Sequence, residues 1–344
     1  MSMQSTSGGD VGEAVRPLQA DAVSKHAPDA GMFDLTRLQP VPDGWWWAVP
    51  PAIVAWIGGV AFLGQYRANQ IADALAGVAP LQMLFWSCVG LGVAGVAMMT
   101  ALGRRGHGVL WAGVVGYLLG HALFAWLPVH HLIDFRIPFT SAADAVAFVK
   151  HRLVYGVCVG ASAGAALALS AWMLGAWPRF HVGVGSWSAV GRDFTHRSRP
   201  ETYRKAMLGF ALFAAVLWVV GQMGVELAPL RSGLLWALIP AILLAAVVNS
   251  LVEEVIYRGC MQPAFVQAAG IARGLWIQGV MFGMLHWGMS VGVVAALPTS
   301  LLIGIGSVYW GKAVLETRGL SWVIVAHAMV DVAIMCAYFV PRGS

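Results

Sequence analysis

Long apolar runs separated by short polar stretches set the rhythm of this chain. Nine such runs stand out, at 45–65, 78–102, 108–128, 153–177, 207–228, 233–258, 274–289, 291–311 and 321–340. A helix of about 20 apolar residues crosses the hydrocarbon core of a bilayer while satisfying all of its own backbone hydrogen bonds. The pattern therefore predicts an all-α polytopic membrane protein with about nine transmembrane helices. The seventh run is short, and its junction with the eighth at Gly288-Met289-Ser290 fits either a helical hairpin or a re-entrant segment. Ahead of the first run, residues 1–43 are polar and rich in Gly, Asp and Ser. They read as a disordered cytoplasmic tail, and without an apolar core they do not read as a signal peptide. Trp45, Trp46 and Trp47 then form an aromatic anchor of the interfacial type. No internal repeat is visible, which weighs against an inverted-repeat transporter.

Composition agrees with that pattern. The 344 residues are 59% hydrophobic and 11% charged, with a mean hydropathy of +0.72, whereas soluble domains carry about 25% charge. The net charge of +5 needs no nucleic-acid partner, because the basic residues fall mostly in short loops. The stretch 178–205 holds Arg179, Arg192, Arg197, Arg199, Arg204 and Lys205 and is assigned to the cytoplasm. Alternating from there brings the N-terminus, Arg104, Arg105, Arg258, Arg273, Lys312 and Arg318 to the same side. Arg67, Arg136, Lys150, Arg152 and Arg231 are left outside, with Arg342 at the C-terminus. The expected location is a bacterial-type inner membrane, N-terminus in and C-terminus out. Cys88, Cys158, Cys260 and Cys336 are scattered and form neither a disulfide framework nor a thiolate metal site. The last residues, Val340-Pro341-Arg342-Gly343-Ser344, look like the remnant of a cleavable tag and carry no functional weight.

Candidate chemistry concentrates in the C-terminal third. Asn249-Ser250-Leu251-Val252-Glu253-Glu254-Val255-Ile256-Tyr257-Arg258 closes the sixth run with two carboxylates and an arginine. Ionisable groups inside a membrane are costly and need partners. Glu254 and Arg258 are i,i+4 neighbours on one helical face and are expected to pair. Glu253, turned by about 100°, shares its face with Asn249 and Tyr257 and is left free. In the seventh run Phe282 stands one turn before His286, and in the ninth His327 and Asp331 share a face at i,i+4. Each pair alone is a weak signal, but their succession on three spans is not. His121, His130 and His131 read as structural or interfacial, and Glu226 as snorkelling or meeting Arg231.

Glu253-Glu254-x-x-x-Arg258, Phe282-x-x-x-His286 and His327-x-x-x-Asp331 together resemble the three motifs of the CPBP (Abi) family, intramembrane proteases that include the CAAX prenyl endopeptidases. The resemblance divides the chain into the tail 1–43, N-terminal transmembrane helices over 44–232, a CPBP-like catalytic core over 233–340 and the remnant 341–344. It implies an endopeptidase acting on a membrane-associated peptide or protein within the lipid bilayer, without a cofactor. Glu253 would be the general base on a water held by His286, while His327 and Asp331 would face the scissile carbonyl. An ionised Asp331 would repel the oxyanion, so it is expected to be protonated or to orient His327. Glu254 and Arg258 would fix the helix and tune Glu253, with Phe282 packed beside the water. Eukaryotic-type CAAX enzymes carry Asn where this chain has Asp331.

Three other readings fit parts of the pattern. Two histidines and two glutamates could bind zinc, but there is no H-E-x-x-H helix and an arginine beside the glutamates opposes a cation. A membrane scaffold or bacteriocin-immunity-type protein would keep the cluster as structural glue, and a transporter would use the carboxylates for protons. One geometric strain accompanies the protease reading. At about 1.5 Å per residue, Glu253 lies roughly 8 Å deep, His327 about 10 Å and His286 about 18 Å. Extending the sixth helix past Arg258 toward Pro263 would reduce the mismatch.

Overall fold

The computed structural model describes residues 45–70, 78–126, 142–175, 182–192, 198–223, 233–286 and 293–338. The polar tail, the Gly288-Met289-Ser290 junction, His130, His131, Glu226, Arg231 and the C-terminal remnant lie outside these residues. The described part of each of the nine apolar runs falls on a helix, and one further helix follows the sixth run. In chain order these are α1 (Val49–Gln70), α2 (Val78–Ala101), α3 (Arg105–Trp126), α4 (Ala142–Leu174), α5 (Tyr203–Met223), α6 (Gly233–Glu254), α7 (Gln262–Ala269), α8 (Ile271–Leu285), α9 (Val293–Thr317) and α10 (Ser321–Tyr338). Among the described residues, four stretches are long and apolar enough to cross a membrane: Leu81–Ala101, Arg105–Phe124, Val146–Ser170 and Leu238–Ala269. Val49–Phe62 and Ser321–Cys336 are shorter apolar helices. The helices expose large apolar side chains, among them Met83, Leu91, Leu212, Leu244 and Leu302. Hydrocarbon tails are as apolar as leucine, so such a surface suits a multi-pass membrane protein.

Two helices depart from the expected bounds in ways that matter. The sixth run does not stop at Arg258. A π-helical segment, Val255–Met261, joins α6 to α7 and carries the helix on to Ala269. The chain then reverses at Gly270, whose φ of 83° only glycine adopts without strain. The fourth helix begins at Ala142 rather than 153, so Lys150 and Arg152 are helical residues and not part of an outer loop. The early start was hidden because Asp144, Lys150 and Arg152 interrupt the apolar pattern.

Between α4 and α5, inside the basic stretch, β1 (Val190–Arg192) pairs antiparallel with β2 (Ser198–Thr202). The segment before β1 clasps the α9–α10 turn. Ser186 N–H donates to the Thr317 carbonyl at 2.7 Å, and Leu320 N–H to the Gly183 carbonyl at 2.9 Å. Trp187 Nε1 donates to Ser321 Oγ at 2.6 Å, and Trp322 Nε1 to the Tyr203 carbonyl at 2.7 Å. Glu316 accepts from both Tyr203 and Lys312. The start of α10, two turns before His327, is fixed by these bonds.

One core joins α1–α4 to α7 and α8 around Phe62, Phe85, Tyr117, Tyr155, Phe265 and Phe282. Phe148, Leu238, Ile242, Ala245 and Met335 tie α4, α6 and α10 together. Helices α8 and α9 touch backbone to backbone: a Cβ on Gly283 would stand 2.3 Å from the Ser300 carbonyl oxygen. Small residues permit such close approach where lipid supplies no hydrophobic drive. The four cysteines are free, three buried and Cys260 half-buried.

Candidate active site

The last α-turn of α6 delivers Glu253 and Glu254 into the space between α4, α8, α9 and α10. Glu254 is fully buried and holds two partners through one oxygen. Arg258 Nη1 donates to its Oε1 at 2.8 Å, as the i,i+4 spacing predicts. His327 Nδ1–H donates to the same oxygen at 2.8 Å, a contact the sequence did not suggest. Arg258 is itself fully buried. Its Nη2 donates to Ser307 Oγ at 2.7 Å, and Gln278 Nε2 donates to that hydroxyl at 3.0 Å. The guanidinium carbon lies 4.0 Å from the Phe282 ring centroid and 5.6 Å from that of Trp310. Removing the charge partner of a buried ion costs several kcal/mol, so Glu254 and Arg258 depend on one another.

Bonding Nδ1 to Glu254 turns the other imidazole nitrogen of His327 into the site. His327 Nε2 stands 3.7 Å from Glu253 Oε2 and 3.6 Å from Asp331 Oδ1. The other oxygen of Asp331 accepts from Asn249 Nδ2 at 2.8 Å and from Ser250 Oγ at 3.1 Å. Asp331 thus spends one oxygen on α6 and presents the other to His327. Asn249, on the Glu253 face of the helix, reaches across to α10 instead.

Glu253 is buried too, but not free as its position on the helix suggested. Arg152 Nη2 of α4 lies 3.4 Å from its Oε1. Oε2 is the oxygen facing His327, and it accepts no hydrogen bond from the described side chains. His286 caps α8 and donates from Nδ1–H to the Phe282 carbonyl at 2.9 Å, which leaves Nε2 unengaged by that bond. His286 is also among the groups within electrostatic reach of Glu253. The longer helix removes the depth mismatch between Glu253 and His286. Glu253 precedes the Gly270 turn by 17 residues and His286 follows it by 16, so both lie at one level, about 25 Å from the turn.

Phe282 is the central ring. It is 5.2 Å from Tyr257, 4.8 Å from His286 and 5.9 Å from His327, centroid to centroid. Tyr257 also brings its hydroxyl to 3.4 Å from that of Tyr155 on α4. Tyr155 lies 3.3 Å from His121 Nε2, while His121 Nδ1–H donates to the Tyr117 carbonyl at 2.8 Å. His121 is therefore a bonded interior residue, as read from the sequence.

All nine singled-out residues, Asn249, Glu253, Glu254, Tyr257, Arg258, Phe282, His286, His327 and Asp331, meet in this one region. Arg152, Ser250, Gln278 and Ser307 were missed. Gln278 and Ser307 were visible as polar residues inside apolar runs. Arg152 was hidden by the late start assigned to its helix. Among the described residues, no group of three or more His, Cys, Asp and Glu has a metal-holding arrangement.

Residues 234–333 match the family model described as Type II CAAX prenyl endopeptidase Rce1-like. The matched stretch contains every sequence-predicted site residue and excludes Arg152. No curated protein and no solved structure matches the chain.

Proposed function

We propose, for a chain whose residues 234–333 belong to the CPBP (CAAX protease-like) family, that it is an intramembrane endopeptidase cleaving near the C-terminus of a membrane-associated or lipidated peptide. The attacking group is a water activated by Glu253. Carrying the reading is the division of labour within that carboxylate: Oε1 is held near Arg152, while buried Oε2 faces His327 Nε2 at 3.7 Å. A water bonded to Oε2 and to His286 Nε2 would give up a proton to Glu253 as its oxygen attacks the carbonyl carbon. His327, as an imidazolium whose Nδ1–H is held by Glu254, would offer its Nε2–H to the developing oxyanion. Breakage of the C–N bond would then return the proton from Glu253 to the leaving amine. Asp331 would orient His327 rather than meet the oxyanion, because its Oδ2 already takes two donors from α6.

No cofactor enters this scheme, and the two arginines beside the glutamates disfavour an added cation. The test is cleavage of a quenched-fluorescent library of membrane-inserted C-terminal peptides by purified protein, with and without chelator. Wild type should cleave in both conditions and Glu253→Gln in neither. Full activity in that variant would overturn the reading, and loss in chelator would move the chemistry to a metal such as zinc. The complete burial of Glu254 and Arg258 also suits a non-catalytic scaffold. Absence of cleavage with every peptide, with the variant folded normally, would favour that alternative.

A further inference from the structure

The family match begins at residue 234, yet one side chain against the central carboxylate comes from α4, more than 80 residues upstream. We infer that Arg152 is a positioning residue of the active site, clamping Glu253 by one oxygen so that the other is aimed at the reacting water. The inference rests on the proposed role of Glu253 and adds a part that the three motifs lack.

Three observations carry it. The first is the contact: Arg152 Nη2 and Glu253 Oε1 lie 3.4 Å apart, with the Glu253 side chain 4% exposed and that of Arg152 18%. At that distance the guanidinium attracts one carboxylate oxygen more than the other, which sets how Glu253 is turned. The second is the seat of the guanidinium. Its carbon lies 5.4 Å from the Phe148 ring centroid and 5.5 Å from that of Tyr155, one turn to either side on α4. Tyr155 is in turn fixed by His121 of α3 and Tyr257 of the π-helical segment. A long side chain seated on two rings loses less freedom on engaging a carboxylate than one moving freely. The third is the contrast with Arg258. That arginine is spent on Glu254, Ser307 and the Phe282 face, so the two carboxylates have separate cations. Glu254 becomes the support of His327, while Glu253 keeps Oε2 for chemistry.

The groups facing Arg152 and Glu253 from neighbouring helices are His286 of α8 and His327 and Asp331 of α10. In the described structure neither histidine takes the arginine's place at Oε1. His327 lies on the Oε2 side, and His286 is tied to Phe282 through Nδ1.

The test uses the full chain in lipid nanodiscs with the same fluorogenic membrane peptides, comparing wild type, Arg152→Gln, Arg152→Lys and Glu253→Gln. Misplacing a catalytic group by about 1 Å can cost roughly 100-fold, so Arg152→Gln is expected to lower kcat by about 10- to 100-fold with KM nearly unchanged. Arg152→Lys should recover most of that loss. If Arg152→Gln does not fold, Arg152→Met, which keeps an unbranched stem beside Phe148 and Tyr155, serves the same comparison. A rise in KM alone, or lysine and glutamine variants equally impaired, would overturn the clamp. Full activity in Arg152→Gln with none in Glu253→Gln would also overturn it and leave the protease reading standing. Activity in Glu253→Gln would overturn both.

Discussion

Helices α1–α4 and helices α6–α10 are both buried assemblies in an apolar setting, but they are held together by different means. In the first group the core is aromatic. Phe62, Phe85, Tyr117, Phe124 and Tyr155 pack around His121, whose two nitrogens bond to a backbone carbonyl and a tyrosine hydroxyl. In the second group ions and amides occupy the centre: Glu253, Glu254, Arg258, Gln278, Ser307, His327 and Asp331. The first arrangement loses one modest hydrogen bond when a polar atom is removed. The second loses a counter-charge. A membrane protein keeps so expensive a centre only where something other than cohesion requires it.

The comparison can be broken at several points. Glu253→Gln should leave the fold intact while lowering kcat by at least the 10²–10⁴ typical of a lost general base, read from peptide cleavage at matched Tm. Glu254→Ala should damage stability as well as activity. It leaves fully buried Arg258 without a counter-charge, and breaking such pairs costs about 3–5 kcal/mol, which thermal unfolding in detergent would register. An unchanged Tm would mean that water or lipid reaches Arg258 and that the centre is less dry than its burial indicates. Gly283→Ala forces a methyl toward the Ser300 carbonyl and should cost about 1–3 kcal/mol through overpacking, measured the same way. Tyr155→Phe keeps the ring but removes the hydroxyl between His121 and Tyr257. Its stability cost should be about 1 kcal/mol. If it equalled that of Glu254→Ala, the distinction between the two groups of helices would fail.

The order of helices and the gathering of the three motifs were legible because both are written locally. Apolar runs mark spans, and i,i+4 spacing puts Glu254 beside Arg258. What was not legible depended on contacts between distant helices. Nothing near His327 announces that it will bond Glu254, since that pairing depends on how α6 crosses α10. Arg152 was read as an outer-loop charge because the apolar pattern weakens over the first turns of α4, although the helix is already formed there. The sixth run was bounded at Arg258, with extension toward Pro263 left open, and the helix continues to Ala269. In the structure Pro263 lies at the start of α7, where its missing N–H costs little.

The wide turn at Val255–Met261 gives the protein's central rod one residue of spare length, in a way that substitutions would not reveal. A π turn accommodates a residue more than an α turn does. Excising one residue there would let the segment rewind as ordinary helix with α7 facing nearly as before, whereas a second excision would swing α7 by about 100° relative to Glu253. Phe265, whose ring fills the notch at Gly113 on α3, would be carried out of register. The hairpin bearing Phe282 and His286 would follow it. One lost codon would be absorbed by that rewinding, but a two-codon deletion would separate the carboxylate from the imidazole that shares its level.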